Sequence, residues 1–364
     1  MATGSATWAY RDRFHESFGR TYFRRYGDGV VSSVGLGTYL GDATDAVDDR
    51  YHEAIRTAIE NGCNVVDTAI NYRCQRSERA VGAAIADADV DREAVLVATK
   101  GGFVPFDGER PDDPGQYVRE TYVEPGIVGA DDLVEGSHSL APTFITDQFG
   151  RSLSNLGLDT IDLYYLHNPE TQLAVRSVGP VYDRIEAAFE VLEERIAAGE
   201  LRGYGVATWA CFRVGRDGDP YLSLPEIVRR ARAAADAVGN ETTGFRAIQV
   251  PFNVLMADAF TVTAQPGPDG DVSVLQFARE AQLAVVTSAT LARGQLTAPG
   301  TIPEDVAARL AGETPAQRAI NFARSAPGVT SALVGSTDSE HVAENVAAGE
   351  FDPMGADAFD ATFE

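Results

Sequence analysis

The chain has 364 residues, 44% of them hydrophobic, which allows a large core and either two domains or one α/β barrel. Its 54 acidic and 30 basic residues give a net charge of −24. A surface of that sign repels nucleic acid and anionic lipid, so neither is an expected partner.

A polar, aromatic-rich N-terminal segment comes first; within it Arg24-Arg25 is followed by Tyr-Gly-Asp-Gly and not by an apolar stretch, which argues against a twin-arginine export signal. Short apolar runs then alternate with amphipathic stretches. The expected strands are Ser33–Leu36, Asn64–Asp67, Val95–Thr99, Ile161–Leu166, Gly203–Ala207, Ala247–Pro251, Ala284–Thr287 and Ser331–Val334. The expected helices are Arg50–Asn61, Ser77–Ala86, Thr143–Leu156, Val181–Ala198, Pro225–Val238, Val272–Ala281, Thr314–Ser325 and Glu340–Ala347. In the fourth helix Ile185, Ala188, Phe189, Leu192 and Ile196 form one stripe.

Strict alternation of strand and helix implies parallel strands covered by helices. Eight such units predict a closed (β/α)8 TIM barrel, with a doubly wound sheet as the alternative. No composition shift divides the chain, so residues 1–364 are expected to form a single domain. Two stretches interrupt the rhythm. Phe103–Pro142 separates the third strand from its helix and carries Pro105, Pro111, Pro114, Pro125 and Pro142. A loop of that length is expected to be a lid or binding element, placed over the C-terminal face of the barrel. Arg216–Leu224 is a shorter insertion after the fifth strand.

Cys63, Cys74 and Cys211 offer neither a disulfide framework nor zinc spacing, and no metal site is expected. No apolar run reaches the roughly 18 residues of a membrane span, so a soluble cytoplasmic protein is the expectation. The acidic excess, with a single lysine, is read as adaptation to concentrated salt, where the Debye length falls to about 3 Å at 1 M.

That lysine, Lys100, ends the third strand in Ala98-Thr99-Lys100-Gly101-Gly102, against 29 arginines elsewhere. A compact ammonium can be tuned by burial and neighbouring charge in a way guanidinium cannot, so its retention points to chemistry. Asp67 closes the second strand, Tyr72 follows five residues later, and His167 closes the fourth. In a barrel these ends converge. A carboxylate would hold the ammonium charged, the ammonium would lower the phenol's pKa from about 10, and the imidazole would donate to a carbonyl oxygen. A proton donor beside an oxyanion stabiliser suits carbonyl reduction with hydride from a cofactor.

These residues, with Gly35-Leu36-Gly37-Thr38-Tyr39, Asp67-Thr68-Ala69-Ile70-Asn71-Tyr72, Ser77-Glu78, Tyr204-Gly205-Val206, Leu291-Ala292-Arg293-Gly294, Val334-Gly335-Ser336 and Glu344-Asn345, resemble the aldo-keto reductase family in order along the chain. The resemblance implies a barrel binding an extended nicotinamide dinucleotide and a small carbonyl or alcohol substrate. It implies Tyr72 as general acid/base, Lys100 as its pKa modifier, Asp67 as the partner of Lys100 and His167 as the carbonyl-orienting residue.

For the coenzyme it implies Gly37, Thr38, Tyr39, Thr208, Gln249, Ser288, Leu291, Arg293, Gly294, Gly335, Ser336, Thr337 and Asn345. The Rossmann fingerprint is absent, because Leu40 stands where its third glycine would be. The chain departs from the family pattern in three places. Ala207-Thr208 replaces a Ser-Asn pair, and Ser288 stands where a tyrosine stacks on nicotinamide, a space left to Phe103 or Tyr39. Gly335 and His341 stand where a lysine and an arginine clamp the 2′-phosphate. NADP(H) is favoured with NAD(H) possible. The alternatives are a dinucleotide-sensing binding module on the same fold and a Schiff-base aldolase using Lys100. The sequence leaves the substrate and the oligomeric state open.

Overall fold

In a computed structural model, which describes residues 1–363, eight parallel strands close into a barrel in chain order. They are β1 Val34–Gly37, β2 Val65–Asp67, β3 Leu96–Gly101, β4 Leu163–His167, β5 Tyr204–Ala207, β6 Phe245–Pro251, β7 Ala284–Ser288 and β8 Val329–Gly335. Pairing of β8 with β1 and of β6 with β7 completes the ring. The (β/α)8 expectation holds and the doubly wound alternative falls.

The helices that follow the strands are α1 Asp45–Glu60, α2 Arg76–Asp87, α3 Pro142–Leu156, α4 Val178–Ala197, α5 Leu224–Val238, α6 Val274–Glu280, α7 Pro315–Ser325 and α8 Ser339–Ala347. Proline in the first turn of α3, α5 and α7 suits a position whose amide has no helical partner. Val272 does not belong to α6 as its periodicity suggests. It pairs in the hairpin Thr263–Gly267/Gly270–Ser273, and Ser273 caps α6 by accepting from Gln276.

Side chains alternate across a strand, and this places the chemistry. Val65, Leu96, Ala98, Leu163, Tyr165, Ala207, Ala247, Val286 and Leu333 pack together inside the barrel. Val66, Val97, Tyr164, Leu166, Ile248 and Val250 face the helices. Continuing the inward series by two residues reaches Asp67, Lys100, His167 and Gln249, all at the C-terminal end. The N-terminal segment, read above as having no regular element, forms a helix Gly4–Phe14 and a hairpin Phe23–Tyr26/Gly29–Ser32. Tyr26 and Val31 of that hairpin join the interior cluster from the opposite end. The helix has no apolar stripe, so the period used to find the other helices gave no signal there.

Asp162, fully buried just before β4, ties the bottom of the barrel together. Its carboxylate accepts from Ala2 N at 2.5 Å, Arg92 Nη2 at 2.7 Å and Val97 N at 2.9 Å. Asp162→Ala leaves a guanidinium and two amides without their acceptor and should lower unfolding free energy by about 3 kcal/mol. Urea denaturation checks this; a loss under about 1 kcal/mol would show that other groups take over.

The Phe103–Pro142 insertion builds a satellite core of Val104, Tyr122, Val128 and Ala141 against Phe144 of α3. Its ends are zipped together by Val104 N to Ser137 O at 2.7 Å and Ser139 N to Gly102 O at 2.8 Å. Among its residues, Phe103 reaches the wall of the central cavity, while Val104, Tyr122, Val128 and Ala141 pack on one another and on Phe144. The expected cover over the C-terminal face is therefore reduced to one aromatic side chain, because the insertion buries its own apolar residues on α3.

Candidate active site

Lys100 is fully buried, and its ammonium uses all three donors. Nζ donates to Asp67 Oδ1, to Thr68 O at 2.8 Å and to Tyr72 Oη at 3.2 Å. Burial alone would pull the amine's pKa down, but Asp67 and Tyr72 outweigh it and hold Lys100 above its ordinary value. Burial raises Asp67, with Lys100 and a hydrogen bond from Gln249 pulling it back. Gln249 Nε2 donates to Asp67 Oδ2 at 2.7 Å, so this glutamine orients the carboxylate as well as lining the cavity.

For Tyr72 the direction differs from the sequence expectation. Burial raises the phenol above its usual value, and the Lys100 ammonium offsets only part of that rise. Desolvation of a group enclosed between Tyr39, Lys100 and His167 is the larger effect. The phenol is accordingly protonated at neutral pH, which is the form a proton donor needs. The Tyr72 ring meets Tyr39 edge-on at 5.1 Å and His167 at 5.8 Å. Burial, Lys100 and His138 together hold His167 well below the ordinary histidine value, so the imidazole is neutral. Its Nδ1 is buried without a protein partner.

The backbone after Tyr72 is unusual. Arg73, Cys74 and Gln75 are all left-handed, with φ of 48°, 57° and 68°. Non-glycine residues in this region cost on the order of 1 kcal/mol each and persist only where surroundings hold them. Arg73 is the holder. Its side chain, 1% exposed, donates to Asp42 O at 3.0 Å, Thr44 O at 3.3 Å and Asp48 Oδ1 at 2.5 Å. Gln75 ties the other end to Phe106 O at 3.0 Å. Burial also raises the Cys74 thiol, which keeps it protonated and unreactive.

Tyr72, Asp67 and His167 open onto a cavity of about 840 Å³ at the C-terminal face, and Lys100 stands behind them. Of the residues expected to bind a coenzyme, Gly37, Thr38, Tyr39, Thr208, Gln249, Ser288, Leu291, Arg293, Gly294, Gly335, Ser336 and Asn345 line it. Thr337 does not. The α8 N-terminus next to it is also closed as an anion site, because Asp338 accepts from Glu340 N at 2.9 Å and His341 N at 3.1 Å.

Sequence reasoning missed Asn71, Asn168 and Trp209 in the wall. Trp209 is half-exposed, with the Arg293 guanidinium 5.9 Å from its ring across the cavity rim. Ala292, Arg293 and Gly294 form a second left-handed run on that rim, with φ of 47°, 56° and 91°. Among the described residues no cluster of three metal-ligating side chains occurs, and no helix is long and apolar enough to cross a membrane.

A profile of the Aldo/keto reductase family matches residues 33–217. The NADH-specific methylglyoxal reductase of Escherichia coli K12 is 32% identical over 185 residues, 50% of this chain and 49% of that protein. Aldo-keto reductase YhdN of Bacillus subtilis is 25% identical over 270 residues, 73% of this chain and 60% of that protein. The matched region thus spans only about half the length of these curated relatives. Among solved structures, an aldo/keto reductase from Klebsiella pneumoniae in complex with NADP and acetate superposes with TM-score 0.62 at 20% identity, covering 94% of this chain and 95% of that one. A glycerol dehydrogenase from Gluconobacter oxydans gives 0.63 at 19% identity, covering 94% of each chain. At such identities the likeness concerns the fold.

Proposed function

Because the chain belongs to the aldo/keto reductase family, we propose that it is an NAD(P)-dependent oxidoreductase that interconverts an aldehyde or ketone and an alcohol. The observation that carries this reading is the Tyr72 hydroxyl held 3.2 Å from the Lys100 ammonium on the wall that His167 shares. The cavity suits a dinucleotide. Thr290 Oγ1 and Asn71 Oδ1 are buried in its wall without protein partners, and a Cβ on Gly37 would meet nothing within 4 Å. Gly37–Tyr39, Thr208, Gln249, Ser288, Leu291, Arg293, Gly294, Gly335, Ser336 and Asn345 would hold it.

A nicotinamide held there would supply the hydride that carbonyl reduction needs. Neutral His167 orients the carbonyl by donating to its oxygen, and Tyr72 gives its phenolic proton to the same oxygen. The phenolate left on Tyr72 is stabilised by Lys100, whose charge Asp67 maintains. The aldolase alternative loses support from the same contacts. An ammonium with three donors engaged, a raised pKa and no exposure has no free pair to attack a carbonyl.

NADP(H) is the favoured coenzyme and NAD(H) the second. The Klebsiella neighbour carries NADP and the Escherichia coli relative is named NADH-specific. Arg293 supplies a guanidinium to the wall. We place the enzyme in a salt-rich cytoplasm on its charge of −24. The test is coenzyme absorbance with a panel of aldehydes, ketones and alcohols in concentrated salt; no turnover on any member would end the reading. On the substrate found, kcat/KM is expected to be higher with NADPH. A tenfold advantage for NADH, about 1.4 kcal/mol, would reverse the coenzyme assignment.

A further inference from the structure

A histidine that must present one nitrogen at a fixed angle is usually oriented by a partner on its other nitrogen. His167 has none: Nδ1 finds no protein acceptor or donor. Its orientation has to come from its backbone and from what packs on the ring. The Phe103–Pro142 insertion contributes to both, beside the Tyr72 ring at 5.8 Å.

His138, fully buried near the end of that insertion, lies with Nε2 2.8 Å from the carbonyl oxygen of His167. The tautomer follows from its other contact. Gln172 Nε2 is a donor and sits 2.7 Å from His138 Nδ1, so Nδ1 accepts and Nε2 carries the hydrogen given to His167. Gln172, also fully buried, is fixed in turn by Arg176 Nη1, which donates to its Oε1 at 2.9 Å. Arg176 Nη2 donates to Asp131 O at 2.9 Å, back in the insertion. The chain of contacts is therefore continuous from the insertion's outer turn to the backbone of His167.

Phe103, at the insertion's start, packs edge-on against both rings, 4.8 Å from His138 and 5.1 Å from His167. Gly102 makes the close approach possible. At φ 138° it has a conformation side chains rarely adopt, and a Cβ there would lie 3.0 Å from His167 O and 3.1 Å from His138 Nε2. Burial also pushes the His138 pKa down to about 4, so the ring keeps its acceptor nitrogen at neutral pH.

We propose that the Phe103–Pro142 insertion positions His167, with His138 anchoring its carbonyl oxygen and Phe103 fixing its ring. His138 is a positioning residue: it acts through His167 and does not line the cavity. The inference rests on the reading of His167 as the group that orients the substrate carbonyl, and it gives the insertion a task other than covering the mouth.

The test compares the parent with His138→Phe, which keeps the ring volume, and His138→Gln, which keeps a donor of similar reach. Misplacement of a catalytic group by about an ångström can cost up to about a hundredfold in rate. His138→Phe should lower kcat by about tenfold or more with NADPH affinity, read by fluorescence titration, within about twofold of the parent. His138→Gln should return kcat to within about threefold. If His138→Phe does not fold, Gln172→Leu removes the donor that sets the tautomer and should lower kcat by at least about threefold.

A second readout does not depend on turnover. The chain has five histidines, so the His167 ring signals can be identified in histidine-selective nitrogen NMR by their loss in His167→Asn. They should shift in His138→Phe and return in His138→Gln. Unmoved signals, a His138→Phe kcat within about twofold of the parent, or a His138→Gln variant as impaired as His138→Phe would overturn the proposal. A parent that turns over no carbonyl would end the functional reading, while the NMR comparison would still decide the role of His138.

Discussion

Tyr72→Phe is expected to cut turnover at least about a hundredfold, the lower end of what general acid catalysis supplies, with coenzyme affinity unchanged. The substitution removes one oxygen and little volume. The ring contacts with Tyr39 and His167 at 5.1 and 5.8 Å survive it, so the fold has no reason to move. What disappears is the hydroxyl that accepts from the Lys100 ammonium at 3.2 Å, and with it the proton that the proposed mechanism gives to the substrate oxygen. Steady-state kinetics with NADPH, together with fluorescence titration of coenzyme, separates the two effects. Turnover retained above about a tenth of the parent value would move the proton donor to another group.

Lys100→Arg is expected to be nearly as damaging although it preserves the charge. The ammonium sits in a fully buried site and points its three hydrogens at Asp67 Oδ1, Thr68 O and Tyr72 Oη. A guanidinium is planar and longer, and its fork cannot address three acceptors arranged around a point. Enlarging a packed site adds strain of about 1–3 kcal/mol, so thermal unfolding should be measured beside kcat. The diagnostic is the double variant Tyr72→Phe/Lys100→Arg. If lysine acts through tyrosine, the double variant should be no slower than about twice the worse single variant. Multiplicative losses would mean that Lys100 works independently of Tyr72.

How much of this was legible in the sequence differs by residue, and the differences have causes. Asp67, Lys100 and His167 could be placed at strand ends because the strands that carry them are short, apolar and bounded, and a buried strand announces itself locally. Tyr72 could be attached to the same face through its five-residue offset from Asp67. Gln249 could be put on the sixth strand, but its 2.7 Å bond to Asp67 joins residues 182 positions apart, and no local pattern encodes that. Arg73 gave no signal at all. An arginine in a left-handed turn reads as a surface charge until its acceptors on the loop before α1 and in its first turn are seen. The N-terminal helix was missed because it shows no apolar period.

The direction of the Tyr72 shift shows the same limit. Proximity to a lysine could be anticipated from strand ends, and it does pull the phenol down. Burial outweighs it, and the extent of burial depends on Tyr39 and His167 arriving at the C-terminal ends of β1 and β4.

By itself the amino-acid order determined the barrel and the strand ends on which Asp67, Lys100, His167 and Gln249 stand, because hydrophobic alternation acts between near neighbours in the chain. Only the tertiary structure decided that the long insertion folds onto α3, that His138 reaches the carbonyl of His167, and that Asp338 caps the amides of Glu340 and His341. Those outcomes depend on which groups, polar or apolar, find partners, and partners are chosen by proximity in space after the chain has packed.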